Sequence, residues 1–241
     1  MTIKRAVTIK ELDKPAMLRL EVGDAAEAGF TTEISVDGGE GFHLPPDTPL
    51  ALCRQTHSLN IAVVDSAEQY PLDTDALITS VPGIAVGVRT ADCVPIVISA
   101  PDIGAVAAVH AGWRGTLGGI VSLTIRRLVA MGSDPAKMHA AVGPGICQRC
   151  YEVDFDLGER FRQAGLGEFV STDNGAGCKP HLDLKGINRH LLLNAGLPTG
   201  NVTISDVCPY HTMRDGIPIL PSYRRDRGTE ERLVTMIMLR R

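Results

Sequence analysis

The chain has 241 residues, a formal net charge of -4 and 44% hydrophobic residues, which is the composition of an ordinary globular protein. A chain of this length buries about 70% of its unfolded surface without disulfides or metals. One Trp, four Tyr and five Phe with a slightly acidic balance supply neither the basic stripe nor the stacking surface of nucleic-acid-binding proteins. These counts exclude nucleic acid as the main partner.

The first twenty residues carry Lys and Arg throughout and contain no continuous apolar core, so they do not resemble a secretory signal. Arg89, Asp92 and Asp102 interrupt the most apolar region, residues 81–111, which is therefore not predicted to span a membrane. The six cysteines are expected to stay reduced. The sequence thus predicts a cytoplasmic protein with no membrane partner and leaves the oligomeric state open.

Strands and helices are predicted in mixed order along the chain. Residues 1–36 are predicted to form short strands and turns, followed by a flexible Gly/Pro/Asp-rich loop over 37–49. Apolar runs bounded by turn residues predict strands over 59–64, 84–88, 94–99, 105–109, 202–206 and 233–239. Apolar residues at helical spacing predict helices over 117–131, 155–164 and 184–194. This pattern predicts an α/β (α+β) fold in a single domain, 1–241, with mixed β-sheets flanked by helices.

Three candidate metal ligands lie next to predicted strands. Cys93 lies in TADCVP, His110 in VHAGWRG and His57 in RQTHS, with 35 and 16 residues between them. One thiolate and two imidazoles are a ligand set that holds a catalytic Zn²⁺ and leaves a position for water. Spacing alone leaves this interpretation open, because a buried cysteine or a hydrogen-bonded core histidine has the same appearance.

The glycine turn after His110 is a candidate phosphate site. Gly112 and Gly115 allow close approach to the backbone N–H groups at a helix start, and Arg114 adds a charged fork. The alternative is that the two glycines only make the turn and that Arg114 is a solvated surface residue.

Near the chain end, Tyr223 and Arg224 are either pocket residues or part of a salt-bridged structural brace.

Two further features of the sequence carry weaker signals. Cys147 and Cys150 form a Cys-x-x-Cys motif, but the sequence has no second Cys pair or His pair to complete a structural zinc site, which favours inert thiols. Cys208 and His211 resemble a Cys/His catalytic dyad, but the favoured role of these two side chains is packing.

Seven segments, RQTHS, DALIT, RTADCVPIVI, AAVHAGWRG, AAVGPGI…YEV, LDL…N and SYRRD, resemble in the same order the YfiH/YlmD-type proteins. These were formerly described as polyphenol oxidase or laccase-domain proteins and are now described as purine nucleoside phosphorylases. The resemblance covers roughly residues 51–241 and implies a YfiH-like fold. It also implies that His57, Cys93 and His110 bind one Zn²⁺ and form the catalytic centre.

The implied chemistry is phosphorolysis of adenosine, inosine, guanosine and methylthioadenosine, together with deamination of adenosine at the same site. The implied partners are therefore purine nucleosides and phosphate. Gly112, Arg114 and Gly115 are predicted to bind phosphate, and Tyr223 and Arg224 to bind substrate. Zn²⁺ lowers the pKa of a water that it binds, which suits the deamination. Cu²⁺ would be an incidental occupant of the same ligands.

Two segments depart from the family pattern. The N-terminal block of the family has no clear counterpart in residues 28–49, and the closing Thr-Gly-Arg element is replaced by Thr229-Glu230-Glu231-Arg232. Substrate preference is therefore expected to have drifted.

The same residues also suggest other classes of function. The runner-up is a metal-free hydrolase or amidase that uses Cys93 as nucleophile and His110 as base, because some relatives are linked to editing of peptidoglycan precursors. A third reading is a non-enzymatic module in which zinc only braces the fold. Seven histidines without a His-x-His pair argue against a multicopper laccase.

Overall fold

The computed structural model describes residues 7–8, 16–32, 47–171 and 178–240. Residues 37–46 of the loop predicted over 37–49 lie outside the described residues, and Pro49 already begins a strand. The strands, in chain order, are β1 Val7–Thr8, β2 Ala16–Leu20, β3 Ala26–Thr32, β4 Pro49–Ala51, β5 Ile61–Val63, β6 Ala76–Thr79, β7 Ala85–Thr90, β8 Val94–Ala100, β9 Ala105–Ala111, β10 His139–Val142, β11 Val170–Ser171, β12 His181–Leu182, β13 Val202–Ile204, β14 Met213–Arg214, β15 Ile217–Pro218 and β16 Leu233–Leu239.

The described residues form two six-stranded sheets. Sheet A has the order β1-β4-β7-β16-β3-β2, and sheet B has the order β13-β10-β8-β9-β6-β5. The pairs β4/β7, β5/β6 and β10/β13 are parallel and the other neighbours are antiparallel, so the predicted mixed sheets are confirmed. Two short hairpin-like pairs, β11/β12 and β14/β15, lie outside these sheets.

Over the described ranges, four α-helices accompany the sheets: α1 Trp113–Leu117, α2 Ile120–Ala130, α3 Phe155–Phe161 and α4 Leu184–Asn194. The continuous helix predicted over 117–131 is wrong, because the helical segment starts at Trp113 and breaks at Gly119, whose φ of 72° is left-handed. The helix predicted over 155–164 ends at Phe161 and continues as a π-helical turn, Arg162–Leu166. The helix predicted over 184–194 is confirmed.

Apolar side chains form layers on either side of sheet B. One core cluster lies between the sheets and includes Phe30, Val88, Val97, Ala108 and Ile237. A second cluster lies between sheet B and the helices, because alternate residues along β8 and β9 point to opposite faces. The layers are therefore sheet A, sheet B and helices.

Within the described part of the chain, no helix is long and apolar enough to cross a membrane.

Candidate active site

The register of sheet B brings three separate loops together at one end of the sheet. Val94 pairs with Ala111, which places Cys93, just before β8, beside the end of β9. Ala76 pairs with Val109, and the His110 backbone N–H donates to the Asp75 carbonyl over 2.7 Å. The loop before β5 joins them, because Asp75 N–H donates to the Asn60 carbonyl. The loops before β5, β6 and β8 therefore meet the end of β9 at this end of the sheet.

The three candidate ligands form one cluster. Ligand atoms of His57, Cys93 and His110 all lie within 4.8 Å of one another, and Cys93 Sγ lies 3.8 Å from His57 Nε2. The two imidazole rings are edge-on, with centroids 4.9 Å apart. Ligands bound to tetrahedral zinc at about 2.0–2.3 Å lie about 3.4–3.8 Å apart. The residues that the sequence predicts as a metal trio are therefore placed close enough to share one ion.

Asp75 holds two of the three candidate ligands in place. Its buried carboxylate accepts the backbone N–H groups of Thr56, His57 and Ser58 at 3.2, 3.1 and 2.6 Å. It also lies 2.6 Å from His110 Nδ1, which leaves the Nε2 of that ring to face the cluster. Carboxylates that bond to the outer nitrogen of a metal-binding histidine fix its orientation and its tautomer. Sequence reasoning missed this residue, although an Asp immediately before the apolar run in DALIT was a usable signal.

Gly112 packs directly against the cluster. A Cβ atom at this position would lie 2.8 Å from His57 Cδ2 and 3.0 Å from Cys93 Sγ. The φ of Gly112 is -71°, which any residue adopts, so space rather than backbone conformation requires glycine here. The missing side chain makes room for the trio, which is a different role from the predicted contact with phosphate.

The Gly112→Ala substitution is expected to weaken zinc binding about ten- to a hundredfold while leaving the fold intact, since the added methyl displaces two ligands. Competition titration with a chromophoric zinc chelator measures this change. Gly200→Ala is the control, because no atom lies within 4 Å of the position its Cβ would take. Equal zinc affinity of Gly112→Ala and the parent protein would contradict the packing argument.

Hydrogen bonds within the cluster shift the pKa values of its members. Burial alone would raise the pKa of Asp75, but hydrogen bonds from His110 and Ser58 lower it to about 2. Burial would lower the pKa of His110, yet Asp75 and Cys93 raise it to about 9. Burial would also raise the pKa of Cys93, but hydrogen bonds with His110 and His57 bring it down to about 6. The metal-free site therefore favours a thiolate beside an imidazolium.

Alkylation of Cys93 by iodoacetamide in the metal-free protein is expected to be half-maximal near pH 6, because the thiol pKa is lowered to about 6. Because that pKa lies below the ordinary value of 9.0, the ionised thiolate stabilises the metal-free fold. This stabilisation is complete above about pH 9 and is lost as the pH falls through about 6. Peptide mass spectrometry measures the reaction, with exposed Cys178 as reference thiol. A midpoint near pH 9 would show that the histidines do not act on Cys93.

The cluster opens into a cavity of about 670 Å³, within the range of about 300–1,000 Å³ that is typical of small-molecule sites. All three candidate ligands line it. Four arginines also line it: Arg54, Arg89, Arg224 and Arg232. The aromatic residues of the wall are Tyr70, Trp113, Tyr151 and Tyr223. The cavity thus combines positive charge with ring faces.

The predicted binding residues divide between the cavity and its surroundings. Tyr223 and Arg224 line the cavity, as does Arg232 of the altered closing element. The exposed Arg114 does not line it, and its guanidinium lies 4.3 Å from the centre of the Trp113 ring. Gly115 is buried in α1, where a Cβ would meet Ile120 at 3.3 Å. The structure therefore does not bring Arg114 and Gly115 together with the trio at the cavity wall.

Asp92 joins the Cys93 loop to the segment that contains Tyr223. It adopts a left-handed φ of 82° and is buried. Its carboxylate accepts Ser222 Oγ and Arg224 N–H, each at 2.7 Å. The Asp92 carbonyl accepts the Ile146 N–H at 2.8 Å. Asp92 therefore links two segments of the cavity wall next to the trio through hydrogen bonds.

A second group of candidate ligands corrects an expectation from the sequence. Cys208 and His211 lie beside Cys147 and Cys150, and one ligand atom from each of the four falls within 4.8 Å of the others. The conclusion that no pair completes the Cys-x-x-Cys motif is wrong, because residues about sixty positions apart along the chain converge here.

The chain has clear relatives. The family model for multi-copper polyphenol oxidoreductase laccase matches residues 18–240. Over 167 residues the chain is 44% identical to the purine nucleoside phosphorylase of Deinococcus radiodurans, covering 69% of this chain and 62% of that protein. Over 170 residues it is 40% identical to adenosine deaminase RL5 of an unknown prokaryotic organism, covering 66% and 64%. Both alignments span less than two thirds of the relative's length.

The fold is shared as well. The crystal structure of the hypothetical protein YfiH from Bacillus licheniformis matches with a TM-score of 0.77 and 28% identity, covering 95% of this chain and 98% of that one. The resemblance indicated by TADC and HAGWRG is confirmed. The chain therefore belongs to the multi-copper polyphenol oxidoreductase laccase family, with the YfiH/YlmD-type purine nucleoside phosphorylases.

Proposed function

We propose that the protein is a zinc-dependent purine nucleoside phosphorylase that acts on adenosine, inosine, guanosine and methylthioadenosine and also deaminates adenosine. The observation that carries the proposal is the trio His57, Cys93 and His110 on the wall of a cavity lined by four arginines. The names of two relatives, a purine nucleoside phosphorylase and an adenosine deaminase, support the same two reactions.

The residues of the trio fit the metal. They offer one sulfur and two nitrogen donors, and Gly112 leaves the space that a Cβ would fill. Three protein ligands are the usual number in catalytic zinc sites, which keep one position open. When bound, zinc would act as a Lewis acid and lower the pKa of water. Cu²⁺ at the same ligands would be an incidental occupant.

The charge balance of the cavity suits phosphate. Four arginines line it, whereas the carboxylate of Asp92 is already bonded to Ser222 and to the Arg224 backbone. In phosphorolysis a phosphate oxygen attacks the anomeric carbon and the purine leaves, so the protein must position a dianion against the sugar. Tyr223, which lines the cavity, offers a ring face on which a purine could stack. We infer that Arg54 and Arg89, near the trio's loop, bind the phosphate.

The Arg89→Met substitution is expected to raise the KM for phosphate about ten- to a hundredfold, because it removes one hydrogen bond to a charged group. The sequence instead predicts that Arg114 binds phosphate, so Arg114→Met is the matched variant. Steady-state kinetics with varied phosphate at saturating inosine measures both. A raised KM in Arg114→Met with no change in Arg89→Met would place the phosphate at the glycine turn and contradict this assignment.

The proposed function is tested by supplying the zinc-loaded protein with each of the four nucleosides. Phosphate-dependent formation of ribose 1-phosphate, or of the methylthio derivative from methylthioadenosine, is expected, together with phosphate-independent release of ammonia from adenosine. A strong chelator should abolish both activities, and zinc should restore them. Absence of product from all four nucleosides in zinc-loaded protein would refute the proposal.

A second candidate function rests on one specific contact. Asp75 lies 2.6 Å from His110 Nδ1, and the other side of that ring faces Cys93, which is the order of a Cys-His-Asp triad. Such a site would serve a hydrolase or amidase with Cys93 as nucleophile. The chelator separates the two candidates, because a nucleophilic thiolate stays active without metal. Hydrolysis of amide substrates that persists in chelator and is lost on alkylation of Cys93 would favour this second function.

A further inference from the structure

The four residues Cys147, Cys150, Cys208 and His211 come from two loops that meet at one edge of sheet B. Strands β10 and β13 are parallel neighbours, so the segments that follow them leave the sheet at the same edge. The first segment carries Cys-x₂-Cys and the second Cys-x₂-His. Pairs of ligands two residues apart on two loops are the arrangement of structural zinc sites. This cluster is separate from the cavity trio and does not rest on the proposed function.

The donor atoms lie at distances that suit a tetrahedral ion. Cys147 Sγ and Cys150 Sγ lie 3.8 and 3.3 Å from His211 Nδ1. A sulfur and a nitrogen bound to tetrahedral zinc are about 3.6 Å apart. The Cys147 backbone N–H donates to Cys208 Sγ over 3.3 Å, a bond that favours a thiolate. Cys208 is buried and the other three side chains are half-buried, so the cluster is shielded without being sealed.

Two basic side chains flank the cluster. Three thiolates around a divalent ion leave one net negative charge. The ammonium group of the buried Lys185 offsets this charge, and its Nζ is held in place because it donates to the carbonyls of Ser205 and Val207. Arg149 Nη2 lies 2.6 Å from His211 Nε2. A metal on Nδ1 requires the ring proton on Nε2, so Arg149, which is exposed, must then turn towards solvent.

We propose that Cys147, Cys150, Cys208 and His211 bind a second, structural Zn²⁺ ion with four protein ligands. Four ligands leave no open position, which distinguishes the site from the three-ligand trio. The ion would join two loops that support the cavity. Ile146 and Tyr151, which line the cavity, flank the first ligand pair, and Arg225 donates to the Pro209 carbonyl beside the second.

The experiment uses the double variant His57→Ala/Cys93→Ser, in which the trio is broken and the four-residue cluster is untouched. This protein is expected to hold one zinc per chain by elemental analysis. Its Co²⁺ form should show sulfur-to-cobalt charge-transfer absorption and the intense visible bands of tetrahedral coordination. Removing the ion should lower Tm by about 10 °C, and zinc should restore it.

Two further variants locate the ion in that background. Adding Cys150→Ser is expected to remove the zinc and the cobalt spectrum, whereas adding Cys178→Ser, at an exposed cysteine outside the cluster, should change neither. If Cys150→Ser does not fold, the cobalt spectrum of the parent double variant still decides the question. The proposal is overturned if that protein binds no zinc after reconstitution under reductant. A Cys147–Cys150 disulfide in anaerobically purified protein, or equal metal loss in both cysteine variants, would also overturn it.

Discussion

The His57→Ala substitution is expected to remove the metal from the trio and to lower kcat/KM for phosphorolysis about a thousandfold, which corresponds to the several kcal/mol that a catalytic metal contributes. In the proposed metal centre His57 would supply one of three protein ligands, so the remaining two would hold the ion weakly. Deamination of adenosine should fall together with phosphorolysis, because in the proposed mechanism both reactions depend on the same ion. Elemental analysis and steady-state kinetics on the same preparation measure the two effects.

The fold should survive this change, since His57 is exposed and lies in a loop. His190→Gln is the matched control, because His190 lies on α4 and bonds to Asn194 rather than lining the cavity. Metal loss with intact phosphorolysis would separate the two activities and contradict a shared zinc centre. Full metal content at the trio after His57→Ala would show that the ion has other ligands.

The Asp75→Asn substitution is expected to destabilise the metal-free protein by about 3 kcal/mol and to weaken zinc binding about ten- to a hundredfold. An amide cannot accept all the bonds that the carboxylate accepts, so N–H groups of Thr56, His57 and Ser58 would lose partners. The His110 ring would also lose the contact that orients it. Urea unfolding in chelator and a zinc titration measure the two effects separately.

The neighbouring Asp73→Asn is the control, because Asp73 is exposed and bonds to Thr56 and Asn60 at the rim of the same loop. The pKa of Asp75 is lowered from 3.8 to about 2, so its ionised form stabilises the fold above about pH 4 and this contribution is lost as pH falls through about 2. Asp75→Asn should remove that acid dependence. Equal stability and zinc affinity of both variants would contradict the positioning role of Asp75.

Local sequence patterns predicted the elements whose boundaries do not depend on distant contacts. The helix α4 and the strand β16 have the predicted limits, because an apolar period of helical spacing and a continuous apolar run each end at clear breakers. The strands β6 and β10 were not predicted as strands, since four residues are too few for a periodic signal. The break at Gly119 was missed because the apolar spacing continues across it.

The candidate site was predicted where single motifs carry the ligands. Cys93 and His110 flank strands, and their positions follow from the pairing of Val94 with Ala111. Asp75 was missed because its role depends on backbone groups about eighteen residues away. The pairing of Cys147 and Cys150 with Cys208 and His211 depends on the parallel register of β10 and β13, which the sequence does not reveal. Arg114 belongs to a family motif, but its guanidinium lies over the Trp113 ring and the residue does not line the cavity.

The most direct test is anomalous diffraction at the zinc absorption edge from crystals of the zinc-loaded protein. The predicted result is a peak bound by Cys93 Sγ at about 2.3 Å and by nitrogen atoms of His57 and His110 at about 2.0–2.1 Å. Crystals that contain zinc elsewhere in the chain but show no peak in contact with Cys93 would contradict the metal centre on which the proposed activity depends.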